Sequence, residues 1–179
     1  MNLSQHYLPL KTTLFLMLKE PYATLLNKMV KIMEEEFGDD LVSVVLFGSV
    51  ARGDNRSDSD VDLLVVIRGL PKDSMLKRIR IFETKVEDRL GLEELWNKGY
   101  YISLSPILKT PEEAEKFSPL YLDMVYDAII LYDKDLFFTK VLQRLRGRLA
   151  ELGAERVKMG KRWYWVLKKG SKFGDTVEL

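Results

Sequence analysis

Two short apolar runs with a polar loop between them constrain this chain more than any other feature. Leu41–Phe47 reads LVSVVLF and Val61–Ile67 reads VDLLVVI. Both are rich in β-branched residues and nearly continuous in apolar character, the pattern of strands buried in a sheet. Such strands need neighbours beside them and helices over them.

The rest of the chain supplies those partners. Leu25, Met29, Ile32 and Met33 recur at helical spacing before Gly38, and the first forty residues read as helical. Lys72 to Trp96 reads as one long amphipathic helix carrying Leu76, Ile79, Phe82, Val86 and Leu90. A third strand is expected over Tyr100–Ile107. Thr110-Pro111-Glu112-Glu113 then opens a helix, with threonine at the cap and proline at the first position. A further helix around Leu120–Val125 precedes a fourth strand at Ala128–Tyr132, and a helix over Leu136–Leu152 follows. The alternating tail from Glu155, with Trp163-Tyr164-Trp165, reads as a β-hairpin. The expected organisation is an N-terminal helical segment (1–21), a central domain (22–133) and a C-terminal helix with a basic, aromatic hairpin (134–179).

Several chemistries are excluded by residue count. There is no cysteine, hence no disulfide scaffold, thiolate metal site or cysteine nucleophile. The single histidine, His6, cannot supply a Ser-His-Asp triad or a two-histidine metal motif. The apolar stretch Thr13–Leu18 lies between Lys11 and Lys19 and falls far short of the ~20 residues of a membrane span, so a cytoplasmic location and no membrane association are expected. An enzyme of this composition must work with carboxylates, hydroxyls, lysines or a bound cofactor.

The chemistry is concentrated where the first strand ends and the second begins. Gly48-Ser49 closes the first run, ten residues from Val50 to Ser59 follow, and Asp60-Val61-Asp62 opens the second. Residues i and i+2 of a strand share a face about 7 Å apart, so Asp60 and Asp62 point the same way. Two carboxylates converging with apolar residues behind them suit a hard divalent cation such as Mg2+, which fills its octahedron with water and phosphate oxygens. Gly48 lets backbone approach a phosphate, and the Ser49 hydroxyl can hold its oxygens. Other phosphate and cation motifs fail. After Gly48 and Gly53, Asp54-Asn55 stand where a P-loop needs Lys-Ser/Thr, and an EF-hand starting at Asp58 would have Leu63 for its glycine and Gly69 for its glutamate.

This stretch resembles the nucleotidyltransferase family related to DNA polymerase beta, in particular its minimal prokaryotic members. Gly48-Ser49, the ten-residue spacer and Asp60-Val61-Asp62 reproduce the signature, with Ala51-Arg52-Gly53 and Ser59 in the usual wording. The resemblance implies an α+β nucleotidyltransferase fold, a mixed β-sheet flanked by helices, over roughly residues 22–133, with the C-terminal helix and β-hairpin as an appendage. It implies transfer of a nucleoside monophosphate, AMP above all, from a Mg-bound nucleoside triphosphate such as ATP to a hydroxyl. Gly48 and Ser49 would hold the triphosphate; Asp60 and Asp62 would be the catalytic metal ligands. Small members of the family act as antitoxins that adenylylate a partner toxin of the HEPN type, which makes a protein hydroxyl one candidate acceptor; an RNA end or a small-molecule hydroxyl, as in the aminoglycoside-modifying relatives, is another.

The resemblance also implies a third carboxylate on a later strand. In the candidate strand Tyr101, Ser103 and Ser105 share one face and Ile102 and Leu104 the other, and none is acidic; Asp123, Asp127 and Asp133 come later. A site without that acid would bind triphosphate yet turn over poorly, so the alternative reading is a degenerate nucleotide-binding module acting through a partner protein. Finally, residues 140–172 hold eleven Lys/Arg against two acids, a net of +9 in a chain of net +1. With the interleaved aromatics, this makes nucleic acid a further candidate partner.

Overall fold

The computed structural model describes residues 18–56, 58–160, 162–168, 170, 177 and 179. Helix α1 (Tyr22–Phe37) leads into β1 (Leu41–Phe47), a single-turn helix α2 (Gly48–Arg52) and β2 (Val61–Ile67). Then come α3 (Met75–Lys85), α4 (Leu92–Trp96), β3 (Leu104–Lys109), α5 (Pro111–Ala114), α6 (Leu120–Asp127) and β4 (Ile129–Asp133). Helix α7 (Phe137–Glu151) and the strands β5 (Glu155–Met159) and β6 (Arg162–Val166) are the last of the described elements. The expectation of helix over residues 1–17 lies outside the described residues.

Four strands form one mixed sheet in the order β3-β2-β1-β4. β1 runs antiparallel to both β2 and β4, and β2 runs parallel to β3. The two central strands are those with continuous apolar sequence, as burial on both faces demands. Val61, Leu63 and Val65 of β2 join α1 and the Phe82 side of α3 in one core. Leu64 and Val66 join α6 and α7 in a second core on the opposite face. Leu64 is fully buried, and truncating such a leucine to alanine costs roughly 2–5 kcal/mol.

Three expectations change in detail. The long helix expected over Lys72–Trp96 breaks after Lys85, through a 3-10 turn at Glu87–Arg89 and Gly91 at φ 69°. The break turns Val86, Leu90 and Leu92 together into the α1 core, and Lys28 Nζ donates to the Leu90 carbonyl at 2.8 Å. The third strand starts at Leu104 rather than Tyr100, because parallel pairing begins at Val61 opposite Leu104. The residues after Gly48, expected as loop, first make the helical turn α2, closed by Gly53 in the left-handed region.

A buried arginine locks α3 to the far end of the sheet. Arg78, 4% exposed, donates to the carbonyls of Pro71 (2.6 Å) and Leu108 (3.1 Å) and forks onto Glu113 at 2.6 and 2.8 Å. Glu113 also closes the capping box of α5 with Thr110. The Arg78 guanidinium draws the Glu113 carboxyl down to about 2.

The expected hairpin is present as the antiparallel pair β5-β6. Arg156 fastens it to α6, forking onto Asp127 at 2.9 and 2.6 Å and lying 3.3 Å from Asp123. Trp165 Nε1 donates to Asp123 at 3.1 Å, and its ring lies 5.6 Å from that of Tyr126. Part of the basic, aromatic character of the tail is therefore spent on docking the hairpin. Among the described residues no helix is long and apolar enough to cross a membrane.

Candidate active site

The candidate site lies where β1 ends beside the start of β2. In the antiparallel register Phe47 faces Asp62, so Gly48 and Ser49 begin just past the second aspartate. On the other side Asp62 is in register with Ser105 of β3. Asp62, Leu64 and Val66 share the face covered further along by α6 and α7. The pair thus opens from the end of a buried strand, with Asp60 exposed and Asp62 half-buried.

Gly48 and Asp62 are in intimate contact. Gly48 has φ 73°, and a Cβ there would stand 2.9 Å from Asp62 Cγ and closer still to Oδ2. No residue with a side chain fits without displacing the carboxylate. From Gly48 the chain turns into α2, and the Ser49 carbonyl accepts the Asp54 amide at 3.1 Å. The loop onward is pinned by Tyr22, whose hydroxyl donates to the Arg56 carbonyl at 3.0 Å, and by Ser59 Oγ, which accepts the Arg56 amide at 2.8 Å.

Electrostatics single out Asp62. Burial, and secondarily the charge of Asp60, raise its carboxyl above the ordinary aspartate range; Arg52 opposes the shift. Two like charges held together at the end of a buried strand favour a cation between them. Hard carboxylate oxygens with a hydroxyl nearby are a donor set suited to Mg2+, so the residues present fit the ion.

The structure brings Gly48, Ser49, Asp60 and Asp62 together, and it adds Ser103. The Ser103 hydroxyl donates to Asp60 Oδ1, and its carbonyl accepts the Val61 amide at 2.9 Å. Ser103 thus occupies the position beside the acidic pair on the neighbouring strand segment. The alternation of Tyr101, Ser103 and Ser105 signals that face in sequence, but not which of the three touches the pair.

Asp123, Asp127 and Asp133 are all engaged elsewhere. Asp123 and Asp127 hold the hairpin through Arg156. Asp133 is opposite Ser43, well back along β1. There it accepts from Ser43 Oγ (2.6 Å), from the Phe138 and Thr139 amides (2.9 Å each) and from Thr139 Oγ1 (2.7 Å). It ties the start of α7 to the sheet and does no work at the site.

Comparison with known proteins finds relatives of this chain. The family description of the nucleotidyltransferase domain matches residues 26–134. A protein of Methanocaldococcus jannaschii provisionally named protein adenylyltransferase MJ1305 is 34% identical over 141 residues, covering 78% of this chain and 90% of that protein. A second from the same organism, provisionally named protein adenylyltransferase MJ0141, is 37% identical over 70 residues, 39% of this chain and 61% of its own length. Among solved structures, a chain of a toxin-antitoxin crystal structure with AMP-PNP aligns over 72% of this chain and 92% of its own, at 18% identity and a TM-score of 0.42.

Proposed function

The chain belongs to the nucleotidyltransferase domain family, and from that premise we propose that it transfers AMP from Mg-ATP to a hydroxyl on a partner protein. The observation that carries the reading is the Gly48-Ser49 turn held directly against Asp62, with Asp60 two residues before it on the same face. In this reading Gly48 and Ser49 receive the triphosphate, and Asp60 and Asp62 hold Mg2+. When bound, the ion neutralises charge on the phosphates and on the attacking and leaving oxygens.

The chain's own contribution is positioning. An acceptor oxygen attacks the α-phosphorus, a new P–O bond forms, and the bond to the bridging oxygen breaks, releasing pyrophosphate. The acceptor hydroxyl proton leaves to a base. Asp60, exposed and hydrogen-bonded to Ser103, is the carboxylate best placed to orient that hydroxyl. A HEPN-type toxin is the first acceptor to try, because the sequence signature resembles the antitoxins that modify such partners.

A second reading has its own observation. Ser103 stands beside the pair where an acid would help activate the acceptor, and a serine is a poor base. A chain that binds Mg-ATP through the same residues and acts on its partner without turnover would look the same. Incubation with ATP labelled at the α- or the γ-phosphate, with and without a HEPN-type protein, separates the two. Transfer requires α-label on protein, pyrophosphate release, and loss of both in Asp62→Asn. Mg-ATP binding with no α-label on any acceptor, even in Ser103→Asp, overturns transfer in favour of the binding module.

A further inference from the structure

A cleft of about 1040 Å3 lies between α2 with its following loop and the C-terminal hairpin, floored by Val50 and the start of β4. Lys19, Arg52 and Arg56 line one side; Lys158, Trp163 and Tyr126 face them. Two acids also line it, but both are engaged. Asp127 has both oxygens on Arg156, and Asp54 accepts from Arg52 at 3.3 Å. The balance at the wall is cationic, so the occupant is an anion.

The cleft is also aromatic, and it adjoins the candidate site through α2, whose residues Val50, Ala51 and Arg52 line it directly after Gly48-Ser49. Trp163 is 46% exposed as a residue, and Arg156 and Lys158 lie over its ring, 4.6 and 5.3 Å from the centre. An occupant can therefore place phosphates toward Arg52 and the Gly48-Ser49 turn while a flat group rests by Trp163. A nucleotide has that combination of parts, and the volume matches a small-molecule site. Lys158 and Trp163 lie beyond residues 26–134, so this wall is an addition to the shared domain.

We propose that the hairpin completes the nucleotide site, with Trp163 stacking on the base of the triphosphate and Lys158 facing its anionic portion. The inference rests on the reading that the chain uses a nucleoside triphosphate and names what holds the nucleoside. A base stacked on an aromatic ring gains enough that its removal weakens binding about tenfold. Tripolyphosphate, lacking a base, has nothing to lose there.

The test is titration calorimetry of the full chain with Mg-ATP and with Mg-tripolyphosphate, on the native protein, Trp163→Leu, Trp163→Phe and Tyr164→Leu. Tyr164 sits on the same strand, does not line the cleft and serves as the control for hairpin integrity. The expected pattern is native ATP binding tighter than tripolyphosphate, about tenfold loss for ATP alone in Trp163→Leu, recovery in Trp163→Phe, and no change in Tyr164→Leu. Equal loss for both ligands, no loss for either, or a Trp163 dependence seen only with a single-stranded oligonucleotide overturns the proposal and leaves triphosphate use standing. A native chain that binds neither ATP nor tripolyphosphate overturns both.

Discussion

Gly48 and Asp62 share one space: the turn that ends β1 passes so close to the aspartate that a single added carbon at Gly48 would overlap the carboxylate. The positive φ of 73° and the contact have the same origin, a strand end that must reverse against its antiparallel neighbour. The glycine of the motif is therefore demanded by the aspartate as well as by any phosphate that approaches it.

Gly48→Ala should fold but lose function. Left-handed backbone costs alanine roughly 1 kcal/mol, while displacement of Asp62 by about an ångström should lower nucleotidyl transfer on the order of 100-fold. Circular dichroism together with label transfer checks the pair of outcomes. A variant with native activity would show that Asp62 can move without consequence.

Asp62→Asn should separate stability from ligand response. Without divalent ions the variant should melt higher, by on the order of 1 kcal/mol or about 2–4 °C, because a half-buried charge facing Asp60 has been removed. With Mg-ATP the order should reverse, the native chain gaining and the variant not. Thermal melts at both conditions decide it.

The Arg78–Glu113 fork should govern acid stability. Glu113 titrates at about 2 when folded and near 4.3 when unfolded. Its contribution is present above the unfolded value and is lost as pH falls from about 4.5 toward 2. Glu113→Gln should flatten that part of the stability curve. At pH 7 it should cost about 3 kcal/mol, the lower end for breaking a buried pair, because Glu113 keeps some contact with water while Arg78 does not. Urea denaturation across pH 2–7 measures both.

Asp127→Ala should loosen the hairpin and leave the sheet intact. Arg156, 12% exposed, would lose both bonds of its fork, at a cost of roughly 2–3 kcal/mol. Hydrogen exchange should quicken over β5 and β6 and remain unchanged in β1 and β2. Uniform quickening would mean that the hairpin and the sheet unfold as one unit.

Most elements were legible because each rests on local pattern. Continuous β-branched runs marked β1 and β2, the Thr110 capping box marked α5, and alternation marked the hairpin. The adjacency of Asp60 and Asp62 was equally local, since the period of a strand is two. The break at Val86–Gly91 was not legible. Its apolar spacing continues the helix, and only the need to turn Leu90 and Leu92 into the α1 core ends it.

Sequence alone determined the glycine-serine turn, the paired aspartates and the strands that carry them, because these follow from short-range spacing. Tertiary structure decided which other polar groups reach that pair. Three later aspartates were equivalent in the sequence, yet Asp133 anchors α7, Asp123 and Asp127 hold Arg156, and Ser103 touches Asp60. That assignment depends on strand order, parallel register and the docking of the hairpin, which bring together residues as distant as Asp60 and Ser103 or Asp127 and Arg156, and no local periodicity encodes them.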